Sequence, residues 1–250
     1  MSETPLLVEY AGRLATLTLN RPDQRNALSP EVFLALREAV DEIGGREDIG
    51  CVILGATGPS FCAGYDLKAR ARAKTALPAG FAAATINALA ALPQPVIAEV
   101  RGHCFTGGME LALAADFIVA SDTARFVDTH ARWSMRAAWG LTQRLPRRVG
   151  LSLAKDMMFT GREFRGAEAV TIGLATRCVP DAELEAETRR AAAAILERDR
   201  EVLAPEANPF EPDGSGNLAA IVPFLRGHNP RPLCASGGIY DATSSGHRTF

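Results

Sequence analysis

With 250 residues, of which 47% are hydrophobic and 22% charged, the chain is long enough to bury one large core, or a core and a smaller helical appendage, which excludes a fibrous or wholly disordered protein. A formal net charge of -2 excludes the broad basic footprint of a nucleic-acid or anionic-membrane binder. Five cysteines (Cys51, Cys62, Cys104, Cys178, Cys234), odd in number and without a C-x-x-C pair, indicate neither a disulfide framework nor a metal site and read as reduced thiols. The N-terminus lacks a basic region followed by an apolar stretch, and no apolar run reaches bilayer length, so a cytoplasmic protein with no membrane partner is expected.

Leu14 to Leu19 alternates and is β-rich, which predicts a strand with one buried face. Ser29-Pro30-Glu31 then supplies a capping hydroxyl, a proline at the first helical position and an acid in the first turn. Val32, Leu36, Val40 and Ile43 continue at helical spacing until Gly44-Gly45. Cys51 to Leu54 reads as a short buried strand. Phe81, Thr85, Leu89 and Leu92 share one helical face that stops at Pro93-Gln94-Pro95. Val96 to Val100 is the next strand, a helix is expected through Ala115, and Phe117 to Ala120 is another strand. Repeated strand, loop and helix units predict an α/β core with right-handed crossovers and function on loops at strand ends. From Gly150 the pattern turns helical, over Leu151 to Phe159, Ala167 to Ile172 and Asp181 to Leu203. The expected division is a core over 1–149, a helical region over 150–203 and an irregular tail over 204–250.

Two glycine segments follow predicted strands: Phe61-Cys62-Ala63-Gly64-Tyr65-Asp66-Leu67-Lys68, and Gly102 through Leu111 with Gly107-Gly108-Met109-Glu110. Glycine lets backbone approach a ligand closely, and a helix start leaves amide N–H groups without intrahelical partners. Two such turns brought together would grip one carbonyl oxygen, as an oxyanion hole does in enolate chemistry on a thioester. Taken singly, Gly107-Gly108 serves equally as a tight strand-to-helix turn. Glu110 heads an otherwise apolar helix, where it either complements the helix dipole or transfers protons beside the hole.

Asn20-Arg21-Pro22, Arg25-Asn26-Ala27-Leu28, Phe61 to Lys68, Pro95 to Ala98, Gly107 to Ala112 and Gln143-Arg144-Leu145-Pro146 together resemble the enoyl-CoA hydratase/isomerase (crotonase) superfamily, from about Leu6 to Leu203. The resemblance implies a crotonase-like α/β spiral of ββα units with a C-terminal helical region, assembled as a homotrimer or hexamer. It implies an acyl-CoA substrate, with coenzyme A part of that substrate and no separate cofactor or metal. Carried over by position, the oxyanion donors are the Tyr65 and Gly107 N–H groups. The CoA groove is formed by Arg25, Ala27, Ala63, Asp66, Leu67 and Lys68, and Trp139-Gly140 sits at the family's glycine-rich turn beside the thioester.

Glu110 matches one of the hydratases' two catalytic glutamates. At the second position the chain has His130 instead, in Asp128-Thr129-His130. Histidine exchanges protons near neutral pH, so His130 either replaces the carboxylate or lines the pocket. Asp128 is expected beside it only if that segment is extended. Trp139 either narrows the acyl pocket or belongs to the core. The expected activity is hydration of a 2-enoyl-CoA by Glu110 with His130. The alternatives are another reaction of this superfamily (isomerase, hydrolase or decarboxylase) and a noncatalytic acyl-CoA binding protein.

Overall fold

The computed structural model describes residues 4–72 and 77–203; the expected tail at 204–250 lies outside the described residues. Strands β1 (Leu6–Ala11) and β2 (Leu14–Leu19) form an antiparallel hairpin whose two-residue turn places Gly12 at φ 59°. From β2 onward the main sheet is parallel, through β3 (Cys51–Ala56), β4 (Val96–Val100), β6 (Phe117–Ser121) and β9 (Arg177–Val179). Leu14 pairs with Cys51, Val52 with Val96, Ile97 with Phe117 and Val119 with Arg177. A second sheet holds β5 (His103–Phe105), β7 (Arg125–Val127) and β8 (Phe164–Arg165), with β7 in the centre. This is the expected mixed α/β spiral.

The central strands β3, β4 and β6 are mainly apolar, Glu99 and Ser121 excepted, because both of their faces are covered. Val52, Leu54, Ala98, Val100 and Ala120 face the large core, whereas Cys51, Ile53, Ile97 and Val119 face a second cluster with Leu184, Ala191 and Ala192. Those last three residues belong to α8 (Leu184–Leu203), which lies across the outer face of β3, β4 and β6. On the inner side α1 (Pro30–Gly44) begins as expected: the Ser29 hydroxyl accepts from Val32 N, Pro30 occupies the first turn, and Phe33, Leu36 and Ile43 are fully buried. It packs against α3 (Phe81–Ala90).

Several expectations need correction. The helix expected through Ala115 is α4 (Gly107–Ala112); its last turn tightens as Ala114 N and Ala115 N donate to Leu111 O and Ala112 O. The region from 150 is not helical alone. Beside α6 (Leu151–Thr160), α7 (Gly166–Thr171) and α8 it contributes β8 to the small sheet and β9 to the main one. Helical character also begins earlier, with α5 (Leu141–Val149). Among the described residues no helix is long and apolar enough to cross a membrane.

Candidate active site

The first glycine segment is held by two strand-like pairings. Cys62 N donates to His103 O at 2.7 Å and Phe105 N to Cys62 O at 3.0 Å, which ties it to β5. Further along, Leu28 N donates to Gly64 O at 2.8 Å and Asp66 N to Leu28 O at 3.0 Å. In such a parallel bridge the residue between the two bonds turns its own N–H to the opposite side, so Tyr65 N–H is directed away from Leu28. Gly64, at φ 100°, lies against the head of α4: a Cβ there would stand 3.1 Å from Phe105 O and 3.5 Å from Gly107 N. A Cβ on Gly108 would overlap the Cys62 carbonyl and stand 2.8 Å from Cys62 Cβ. Glycine at 108 is therefore what lets the two segments touch.

Thr106, which the sequence did not single out, aims the head of α4. It is buried at φ 54°, ψ -109°, a conformation that costs a non-glycine residue about 1–3 kcal/mol and persists only when its surroundings enforce it. Those surroundings are Val127 O, which accepts from Thr106 N at 2.9 Å, and Thr129, whose hydroxyl lies 2.5 Å from that of Thr106. The clasp joins the loop bearing Gly107 to the turn bearing His130. Only the tertiary pairing reveals it.

Gly107 and Glu110 lie one turn apart on α4 and so share a face. Glu110 is 1% exposed, and its Oε1 accepts from Trp139 N at 2.7 Å and Leu141 N at 3.2 Å. Two amides at the head of α5 are thus committed to this carboxylate rather than directed into the cavity. Glu110 Oε2 remains, 3.7 Å from His130 Nε2. Behind the imidazole, Asp128 Oδ1 lies 2.6 Å from His130 Nδ1 and also accepts from His130 N at 3.1 Å. Asp128 reaches His130 without the extended segment the sequence reading required. The strand ends at Val127, and an aspartate turn bends the chain so that a residue two positions on meets its carboxylate.

Burial raises the Glu110 pKa above its ordinary value, against the pull of the Trp139 and Leu141 amides and of His130, while Asp128 adds to the rise. For His130, burial acts to lower the pKa, but the hydrogen bond to Asp128 and the negative charges of Asp128 and Glu110 outweigh it, and the net shift is upward.

The pair opens into a cavity of about 580 Å³ lined by Ala63, Tyr65, Leu67, Gly107, Glu110, His130 and Trp139 among others. Leu77, Phe81, Trp133 and Met135 make much of the remaining lining apolar. Trp139 stands edge-on to Phe33 and Tyr65, with ring centroids at 5.0 and 5.3 Å, so it belongs both to the cavity wall and to the core behind it. Its ring also covers Gly107, where an added Cβ would come within 2.6 Å of it.

Arg25, Ala27, Asp66, Lys68 and Gly140 lie outside this lining. Asp66 caps α2 (Leu67–Arg72) through Ala69 N and accepts from Arg21 at 2.9 Å; although burial acts to raise its pKa, these bonds lower it. Arg21 also donates to the Ala27 carbonyl, and Arg25 O accepts from Ala63 N, so Arg25, Ala27, Ala63 and Asp66 are joined in one framework. Arg25 and Lys68 are exposed. Gly140 sits at φ 113° with the Arg144 guanidinium packed against it. Among the described residues no group of three or more His, Cys, Asp or Glu is placed to hold a metal ion.

A buried carboxylate and a histidine side by side in the wall of a cavity, on an α/β frame, form the arrangement of an acid–base enzyme. The family profile described as enoyl-CoA hydratase/isomerase matches residues 9–212, and the chain belongs to that family. It is 38% identical over 197 residues to "Probable enoyl-CoA hydratase echA8" of Mycobacterium bovis, covering 78% of this chain and 76% of that one. It is also 38% identical over 187 residues to the enoyl-CoA hydratase EchA19 of Mycobacterium tuberculosis, covering 71% and 69%. A crystal structure of enoyl-CoA hydratase from Bacillus anthracis superposes with a TM-score of 0.74 at 32% identity, covering 81% of each chain.

Proposed function

We propose that the protein is an enoyl-CoA hydratase in which Glu110 and His130 add water to a 2-enoyl-CoA thioester. The observation that carries this reading is the 3.7 Å gap between Glu110 Oε2 and His130 Nε2, which lets one water contact both atoms beside the head of α4. The Tyr65 and Gly107 N–H groups hold the thioester oxygen. Glu110 Oε2 takes a proton from water as its oxygen bonds to Cβ, the double-bond electrons pass to the enolate, and His130 Nε2 returns a proton to Cα. The proton on Glu110 then passes to His130, which restores both groups. Coenzyme A enters and leaves as part of the substrate, along the framework of Arg25, Ala27, Ala63, Asp66, Leu67 and Lys68, and Trp139 with Gly140 bounds the acyl end. Assembly as a homotrimer or hexamer belongs to the same reading.

The test is incubation with crotonyl-CoA and longer 2-enoyl-CoAs, with products read by mass spectrometry. A gain of one water with the thioester intact is expected. Free acid, double-bond migration or loss of carbon dioxide from suitable thioesters would instead select the hydrolase, isomerase or decarboxylase. No turnover of any thioester would leave an acyl-CoA binding protein. In either case CoA at millimolar concentration is expected to raise the melting temperature, because ligand bound only to the folded state shifts the equilibrium. No rise with CoA or any acyl-CoA would remove the shared ligand.

The rate profile follows from the two shifts. Glu110 must be ionised and its pKa is raised, so activity falls toward acid at a pH above the ordinary carboxylate range. His130 must be protonated and its pKa is raised, so activity falls toward alkali above the ordinary histidine value of about 6.5. Both limbs belong to the interacting pair. His130→Ala is expected to cost roughly 100-fold in kcat and to abolish the alkaline limb. A change in KM alone would make His130 a wall residue.

A further inference from the structure

Glu110 and His130 account for both proton transfers, yet a third ionisable group is buried behind them. Asp128 is 1% exposed; its Oδ1 receives the His130 ring and backbone nitrogens, whereas its Oδ2 is buried without a hydrogen-bond partner among the described residues. A side chain needed only to cap the turn requires one acceptor oxygen, which asparagine supplies. An aspartate here adds a second oxygen that gains no hydrogen bond among the described residues, and a charge that must be compensated within the fold. The group placed to compensate it is the imidazole 2.6 Å away.

We propose that Asp128 is a positioning residue of the hydration site: by accepting the His130 Nδ1–H it fixes the tautomer that presents Nε2 to the substrate, and its charge sustains the imidazolium that serves as the acid. This rests on the hydratase reading above. In the neutral ring one nitrogen carries the proton and the other accepts, and a carboxylate at Nδ1 leaves Nε2 as the nitrogen that gains and loses the mobile proton. Nε2 is the nitrogen that faces Glu110. Asp128, His130 and Glu110 thus form a line, with the imidazole between two carboxylates. The charged groups acting on the ring are Asp128 from its own loop and Glu110 from α4; α6, which packs on the turn at His130–Trp133, adds none among the described residues. Arg144 of α5 interacts electrostatically with Glu110. Asp128 exchanges no atom with the substrate. Its contribution is to keep a histidine usable where the family's pattern places a second glutamate.

Asp128→Asn retains size and one acceptor oxygen while removing the charge. It is expected to lower kcat for crotonyl-CoA hydration about 10-fold or more at pH 8, with KM unchanged within about twofold, and to move the alkaline limb toward lower pH. A folded Asp128→Asn enzyme with parental kcat and an unmoved alkaline limb overturns the proposal. Ring ¹⁵N spectra of histidine-labelled parent protein, with His130 assigned by its loss in His130→Gln, provide a readout that requires neither turnover nor a folded Asp128 variant. The expected neutral ring is protonated at Nδ1 and titrates above the ordinary histidine value. A neutral ring protonated at Nε2, or a midpoint at or below that value, also overturns the proposal. If the parent hydrates no 2-enoyl-CoA, the hydratase reading falls, while the ring spectra still decide whether Asp128 governs His130; the two failures are thereby distinguished.

Discussion

Glu110→Gln is expected to lower kcat for crotonyl-CoA hydration about 100-fold or more, with little change in KM, the usual scale for removing a general acid or base. The substitution is close to isosteric, and a glutamine oxygen still accepts from Trp139 N and Leu141 N, so the head of α5 keeps its anchor. Only the basic oxygen facing His130 is lost. Stability is expected to move the other way. An acid whose folded pKa is raised opposes folding when ionised, and that cost is absent below its unfolded pKa and grows as pH rises through it. Glu110→Gln therefore melts no lower than the parent at pH 7. Stopped-flow rates with calorimetry on one preparation test both parts; parental kcat in the variant would sink the mechanism.

Gly108→Ala is expected to be as damaging for a different reason. The new methyl group would meet the Cys62 carbonyl and Cys62 Cβ, both fixed by the pairing of Cys62 with His103 and Phe105. Neither can give way unless the two glycine segments separate. A displacement of about 1 Å at a reacting centre costs on the order of 100-fold in rate, and overpacking a core site costs about 1–3 kcal/mol. Gly45→Ala is the matched control, since its Cβ would meet only Glu42 O at 3.6 Å and Asp41 O at 3.9 Å. Urea denaturation and kcat/KM measured on both variants are expected to separate them widely. A fully active, equally stable Gly108→Ala protein is incompatible with the close approach described above.

The elements legible in the sequence are those whose pattern repeats within themselves. α1 carries its cap, its proline and two or more turns of apolar spacing in one stretch. β3 carries an unbroken apolar run and β6 one through Ala120, and β4 is interrupted only by Glu99, because both faces are covered. β5, β7, β8 and β9 span only three, three, two and three residues, too few for any periodicity. Their pairing partners lie far along the chain: β9 is a strand because Val119, Ala120 and Ser121 offer it an edge. The 150–203 region reads as helix for the same reason, since its strands leave no local signal.

At the site, the sequence by itself determined the residue types and the order in which they occur: two glycine segments after strands, an acid heading an apolar helix, and a histidine twenty residues on. Chain order cannot determine which atoms meet. The Trp139 and Leu141 amides reach Glu110 across 29 and 31 residues, and Thr106 clasps Thr129 across 23. The Asp128–His130 contact spans only two residues, yet depends on β7 ending at Val127, which depends in turn on its pairing with β5 and β8. Local sequence fixes propensities and the chemistry available. The tertiary structure alone decided that Glu110 would be buried and held by backbone amides, and that His130 would stand between two carboxylates, because burial and hydrogen-bond direction arise only when distant segments close on one another.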